Sequence, residues 1–382
     1  MIQKVTDVVL IITGFQLILL AVVLFTQKNV KKLSRNLLVA FLLSKAFLII
    51  RWFTLQFEIL KFGDNIYFFL ISSSGFFLLA PLLYLYVKSL CYKDFTIKTS
   101  DLLHLIPLAL LILYNTFSSY ILSSATYDDS SILYSICIIN HGKIFWTSNL
   151  IQILFYIIAM LHTLHDYRVK LRDQYSSIEK INLNWLHSLL ILIIFHWLFV
   201  TSRSILSNIN INDETLLSLL DLFSITIFLV YTTILVIKGL GQLKIFPGIK
   251  EYPKYATSKL TNTDIQKYGQ QLIIIMQTQK LYLSPTLTIV DLSEKLSIPV
   301  WHLSQVINEY FNQNFFNFVN GFRIEEAKQL LLDSSNGRKT VLEILYEVGF
   351  NSKSAFNTAF KKHTNMTPTE YKNSHQLKLV GS

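Results

Sequence analysis

The chain has 382 residues, 52% of them hydrophobic and only 15% charged, where soluble domains carry about a quarter charged residues. That balance excludes an ordinary soluble globule and points to a polytopic membrane protein with a smaller soluble part. The net charge of +10 suits an anionic membrane surface, nucleic acid or both, and two cysteines, Cys91 and Cys137, exclude a disulfide framework and a zinc spacing.

The first apolar run, Val8 to Phe25, is long for a signal sequence. It is followed by Thr26-Gln27-Lys28-Asn29 rather than by a small-x-small cleavage site, so it reads as a retained span. A spanning helix needs about 20 mostly apolar residues. Seven stretches meet that: 5–26, 36–57, 66–88, 102–122, 144–164, 186–206 and 216–237. Pro81 and Pro107 fall inside two of them and are tolerable where neighbouring helices re-satisfy freed carbonyls.

Basic residues set the orientation. Lys28, Lys31, Lys32 and Arg35 follow the first span; Lys88, Lys93 and Lys98 follow the third; Arg168, Lys170, Arg172 and Lys180 follow the fifth. The alternate loops carry Glu58, Asp64, Asp128, Asp129, Asp213 and Glu214. The N-terminus is therefore expected outside, and an odd span count puts the C-terminus in the cytoplasm. The two cysteines then lie on opposite faces.

After Ile237, Gly239, Gly241, Pro247, Gly248 and Pro253 are expected to break any long helix. Lys238, Lys244, Lys250, Lys254 and Lys259 make this a basic juxtamembrane linker, 238–262, that favours anionic headgroups. From Thr263 short amphipathic helices are predicted near 263–278, 289–296, 300–310, 315–332, 341–348, 352–363 and 367–372, in a domain spanning 263–373 with a tail at 374–382. Thr288-Ile289-Val290-Asp291 is a capping-box-like start. The 315–332 helix carries Phe315, Phe318, Val319, Phe322, Ala327, Leu330 and Leu331, a stripe wide enough to be buried between two neighbours. The fold class is all-α: a seven-helix membrane bundle followed by two helix–turn–helix units joined by that longer helix.

The second unit reads GFNSKSAFNTAFKK followed by TPTEY, and the first runs from Leu287 into RIEEAKQLL. Residues about 263–372 thereby resemble the DNA-binding domain of AraC/XylS-type transcription regulators. The resemblance implies two recognition helices, each presenting early residues to a major groove. In the first, Trp301, Ser304, Gln305 and Asn308 match DNA-facing positions, with Leu303, Val306 and Ile307 in the core. Gln305 has the chemistry to pair with adenine, and Trp301 to pack on sugar or a thymine methyl. In the second, Lys353, Ser354, Asn357, Thr358 and Lys361 match the exposed face, and Ala355, Phe356, Ala359 and Phe360 pack inward. Asn357 is expected to read a base edge, and Lys353, Lys361 and Lys362 to hold phosphates. Gly349 suits a positive φ, Asn351 or Ser352 caps the helix, and Asn365 stands where the family usually has Gly. Pro299 in place of a Ser/Thr cap, Ser297 in place of the turn glycine, Gly321 inside the linking helix and Leu345 in place of a small residue depart from the pattern.

In the membrane part, ionisable residues within spans are the functional candidates. Lys45 and Arg51 lie in the second span, His196 in the sixth, Asp221 in the seventh and Arg203 near a surface. Arg51 and Asp221 are expected at similar depth as a pair, either structural or lining a ligand pocket. His162, His165 and His187 flank a cytoplasmic loop without carboxylates at ligand spacing. No Gly-rich phosphate loop, HExxH or nucleophile–base–acid set is present, so neither an enzyme nor a cofactor is expected. The expectation is a one-component regulator in the cytoplasmic membrane, resembling membrane regulators of Bacteroidetes-type bacteria. Its expected partners are promoter DNA, membrane lipid, RNA polymerase, a second copy of the chain and an unidentified signal. The rival reading is a receptor or transporter whose C-terminal domain docks a protein.

Overall fold

The computed structural model describes residues 2–27, 31–56, 75–124, 132–209, 211, 213–245, 248–250, 252, 260–332 and 339–380. Those residues are almost wholly helical and fall into two compact units. The first contains 1–164 and 183–248, and the second 165–182 and 249–382.

The first unit holds α1 (Ile2–Thr26), α2 (Lys32–Gln56), α3 (Phe76–Cys91), α4 (Ile106–Ser124), most of α5 (Ile132–Gln174), α6 (Asn184–Asn208) and α7 (Glu214–Ile245). Among the described residues, six of these segments are long and apolar enough to cross a membrane: Ile2–Thr26, Lys32–Thr54, Thr99–Phe117, Ile144–Gln174, Asn184–Ser207 and Glu214–Gly239. Helices suit that setting because each satisfies its own backbone polar groups. The outer faces are apolar, with Phe15, Ile151 and Ile158 each about two-thirds exposed. Polar side chains turn inward: Gln152 donates to the Phe77 carbonyl at 3.0 Å, and the Thr6 and Thr13 hydroxyls bond carbonyls one turn back.

Three expectations change here. The expected 66–88 span appears as the 16-residue α3, and residues 57–74 lie outside the described residues. Pro107 is no break, because the helical stretch Thr99–Phe117 runs through it, passing from 3-10 turns to α-helix at Ile106. The helix expected to end at Ile237 continues through Gly239 and Gly241 to Ile245. A Cβ at Gly239 would overlap the Tyr86 hydroxyl, so this glycine lets α7 lie close against α3 instead of ending the helix. The acidic loop residues Glu58, Asp64, Asp128 and Asp129, and the side chain of Cys137, lie outside the described residues.

The second unit holds α8 (Asn262–Gln279), α9 (Ile289–Leu296), α10 (Val300–Phe311), α11 (Phe315–Leu332), α12 (Val341–Glu347), α13 (Lys353–Thr364) and α14 (Pro368–Val380). Two cores flank α11. Its N-terminal half puts Phe315, Phe318 and Val319 against Leu272, Leu292 and Leu303. Its C-terminal half puts Ile324, Ala327 and Leu331 against Ile344, Phe356 and Phe360. One helix thus serves two small cores, each too small to be stable alone. Leu345 is fully buried in the second core, which has room for it. At Gly321 a Cβ would sit at ordinary contact distance from His363, so packing does not require glycine there. The 367–372 helix runs on to Val380, into the expected tail.

The helix starts are set by side chains that cap free N–H groups. Thr288 with Asp291 and Thr340 with Glu343 form reciprocal capping boxes. Thr367 and Glu370 exchange the same pair of bonds at the start of α14, which is the physical content of the TPTEY stretch. The backbone N–H and hydroxyl of Thr340 hold the Glu343 carboxyl below its usual range, and Thr367 does the same for Glu370.

Candidate nucleic-acid interface

The helix expected to be the second recognition helix is α13. Ser352 caps it, its hydroxyl accepting from the Ala355 N–H at 3.2 Å, while Asn351 reaches the Pro285 carbonyl instead. Ser352→Ala is expected to cost about 1 kcal/mol of second-unit stability, read as faster amide exchange in the first turn of α13. Before the cap, Gly349 has φ +89°, and a Cβ there would come within 2.6 Å of the Leu283 carbonyl oxygen. After the helix, Asn365 turns the chain at φ +59°. The turn residues therefore take the backbone forms that their types favour.

Between those punctuation points the helix has two faces. Phe356 and Phe360 are fully buried and Ala359 nearly so. Lys353, Ser354, Thr358, Lys361 and Lys362 are exposed, with Asn357 half-buried among them. The helix carries three lysines and no carboxylate. Lys362 differs from its neighbours, since its ammonium donates to Asn317 Oδ1 on α11 at 3.0 Å.

α10, expected to be the first recognition helix, follows Pro299 without a side-chain cap, after Ser297 has made the turn at φ +54°. Leu303, Val306 and Ile307 are buried. Ser304 and Asn308 lie one turn apart, 3.4 Å between their polar atoms, and Asn308 is exposed. Gln305 is committed within the protein: its oxygen accepts the Leu260 N–H at 3.2 Å and its amide donates to Glu309 at 3.1 Å. The expected adenine pairing by Gln305 would have to use its second N–H and second lone pair, or displace these partners. The Trp301 indole is half-buried with its N–H shielded, so it is less presented than a free platform. α8 produces this by packing along α10, where Gly269 lies so close to the Tyr310 ring that a Cβ would overlap it at 2.6 Å. α10 carries Glu309 and no Lys or Arg, so α13 has the better charge for phosphates.

The intramembrane candidates fall into two groups: Lys45 and His196 share the Phe228 ring, and Arg203 and Asp221 pair with each other. Asp221 pairs with Arg203 at 2.8 Å, not with Arg51 as expected. His196 Nδ1 lies 2.9 Å from the Ser224 carbonyl. Lys45 points over the Phe228 ring, 4.7 Å from its centre, and lines a cavity of about 40 Å³ with Phe41, Tyr156, Trp197 and Tyr231. Among the described residues no cluster of His, Cys, Asp and Glu has metal-binding geometry.

Residues 292–374 match a family model described as a helix-turn-helix domain. An uncharacterized HTH-type transcriptional regulator of Pseudoalteromonas carrageenovora is 46% identical over 61 residues, 16% of this chain and 34% of that protein. One from Staphylococcus aureus is 33% identical over 93 residues, 24% of this chain and 12% of that protein. This chain thus spans well under half the length of either relative. Among solved structures, the C-terminal domain of AraT, a response regulator from Geobacillus stearothermophilus, is 26% identical with a TM-score of 0.25, covering 31% of this chain and 88% of that one. The C-terminal domain of the two-component response regulator yesN from Fusobacterium nucleatum is 30% identical with a TM-score of 0.24, covering 28% of this chain and 98% of that one. Residues 292–374 of this chain are thus similar to a helix-turn-helix domain.

Proposed function

We propose that this chain is a membrane-embedded, one-component transcription regulator that binds promoter DNA through two helix–turn–helix units. The observation that carries this reading is α13: a capped helix with a lysine-, serine-, asparagine- and threonine-bearing face raised on a buried Phe356–Phe360 base. The naming of the sequence relatives as transcriptional regulators supports it. The six long apolar helices support a multi-pass setting in the cytoplasmic membrane, with the N-terminus outside and the DNA-binding domain in the cytoplasm. In this reading the membrane part senses the signal, two copies act together, and RNA polymerase is the downstream partner.

The roles divide by chemistry. Asn357 has two donors and an acceptor to offer a base edge, while Lys353 and Lys361 offer charge to phosphates. With the full chain in lipid nanodiscs, Asn357→Ala is expected to lose about 1–3 kcal/mol of discrimination between selected and random duplexes. Lys361→Ala is expected to weaken binding to all duplexes alike and to reduce the salt slope by about 1. Equal binding of the wild-type chain to selected and random duplexes would overturn the regulator reading in favour of a protein-docking module.

A further inference from the structure

The second unit is not built from the C-terminal residues alone. It includes 165–182, the end of α5 and the connection to α6. These residues are separated from the helix–turn–helix region by about a hundred positions, yet they are bonded into it.

The contacts form a short strap. Gln174 Nε2 donates to the Lys250 carbonyl at 2.9 Å. Tyr175 pairs in antiparallel fashion with Thr288, the cap of α9. Ser176 donates twice to the Leu287 carbonyl, from its N–H at 3.2 Å and from its hydroxyl at 2.7 Å. Arg323 of α11 then clasps the strap from below, reaching the Ser176 carbonyl and hydroxyl, both at 3.1 Å, and the Ser177 hydroxyl at 3.5 Å. The same guanidinium donates to the carbonyls of Tyr282 and Ser284, each at 2.7 Å, and to Asn320 Oδ1 at 3.1 Å. Arg323 and Ser176 are essentially inaccessible to solvent.

Two features make this a built docking site. A fully buried arginine requires its donors to be satisfied, and part of that satisfaction comes from the strap. The site also lies where the two helix–turn–helix units meet. Tyr282 and Leu283 back onto the Gly349 turn of the second unit, Leu287 and Thr288 open the first, and the Arg323 guanidinium lies 5.5 Å from the Phe350 ring. The strap is continuous with α5, whose Ile144–Gln174 stretch is long and apolar enough to span a membrane.

We propose that Gln174–Ser177 is the coupling strap through which the membrane helix grips the DNA-binding domain, and that its release raises DNA binding. Docked, the helix–turn–helix region carries the strap's hydrogen bonds in addition to its chain connection at 249; undocked, it keeps that connection alone and is free to bring both recognition helices onto DNA. This proposal rests on the regulator reading.

The test uses the full chain in lipid nanodiscs, in a background carrying Cys91→Ser and Cys137→Ser. Paired residues on antiparallel strands hold their Cβ atoms about 4.5–5.5 Å apart, close to the reach of a disulfide. Tyr175→Cys with Thr288→Cys should therefore cross-link on oxidation with copper phenanthroline. The probe is the duplex most enriched by the full chain from a random library. The cross-linked form is expected to bind that duplex at least tenfold more weakly than the same protein after dithiothreitol. Ser176→Pro, which removes both donors to Leu287, is expected to bind severalfold more tightly than its parent, and Ser176→Thr to match the parent. Failure to cross-link in protein that remains folded overturns the docking. Cross-linking with equal DNA affinity before and after reduction overturns the coupling alone. Cross-linking with no preference for the enriched duplex in any form overturns the regulator reading, and the coupling with it.

Discussion

Arg323→Ala is expected to destabilise the second unit by at least about 3 kcal/mol, more than any surface change in the molecule. The side chain supplies a charged donor to the buried carbonyls of Tyr282 and Ser176 and to the more open carbonyl of Ser284. Leaving a buried acceptor unsatisfied costs about 1–3 kcal/mol each, and two are orphaned together. Burial lowers the guanidinium pKa to about 10, with Glu179 pulling it back up, so the group remains charged at neutral pH. Arg323→Lys should rescue little, because an ammonium lacks the planar fork that reaches acceptors on both sides. Hydrogen exchange on the full chain in nanodiscs would show the loss as faster exchange across both α9 and α12. Loss confined to one of these helices would mean that Arg323 does not join the two units.

Phe360→Ala is expected to cost about 3–5 kcal/mol, concentrated in the second core. Phe360 is fully buried, with its ring centre 5.5 Å from those of both Phe356 and Tyr371. Truncation leaves a cavity that α13 and α14 cannot both close, since Gly349 and the Thr367–Glu370 cap fix their ends. Opening free energies measured by exchange should fall in α12, α13 and α14 and stay within about 0.5 kcal/mol in α8 and α10, which belong to the other core. DNA selectivity would fall with it, although Phe360 faces away from the recognition surface.

The helical C-terminal region was legible because its signals are local. Thr288 with Asp291, Thr340 with Glu343 and Thr367 with Glu370 announce helix starts within four residues, and Gly349 and Asn365 announce turns. Two helices, Ile289–Leu296 and Phe315–Leu332, begin and end where the sequence pattern puts them. What was hidden depends on distant partners. Gly239 and Gly241 have the composition of a break, and only the tight fit against Tyr86 shows why one glycine sits inside a continuing helix. Arg203 takes the carboxylate expected for Arg51 because pairing follows helix adjacency, which hydropathy does not encode. Residues 165–182 read as an ordinary basic loop, and no period or motif ties Ser176 to Leu287 across 111 positions. In the interface, the exposed and buried faces of α13 follow from helical periodicity. The engagement of Gln305 does not, because its partner is a backbone N–H from the linker.

That last contact has a consequence for the DNA sites themselves. Gln305 already holds the Leu260 N–H and Glu309, so base recognition by α10 would compete with these bonds for the geometry of the amide. In the proposed reading, a base contact by Gln305 that displaces one of these bonds is partly offset by it, whereas Asn357 and Lys361 of α13 would meet DNA without that competition. A collection of bound sites should therefore be lopsided, with a sharply defined half beneath α13 and a permissive half beneath α10. The permissive half is where related promoters can drift apart while remaining under the same control.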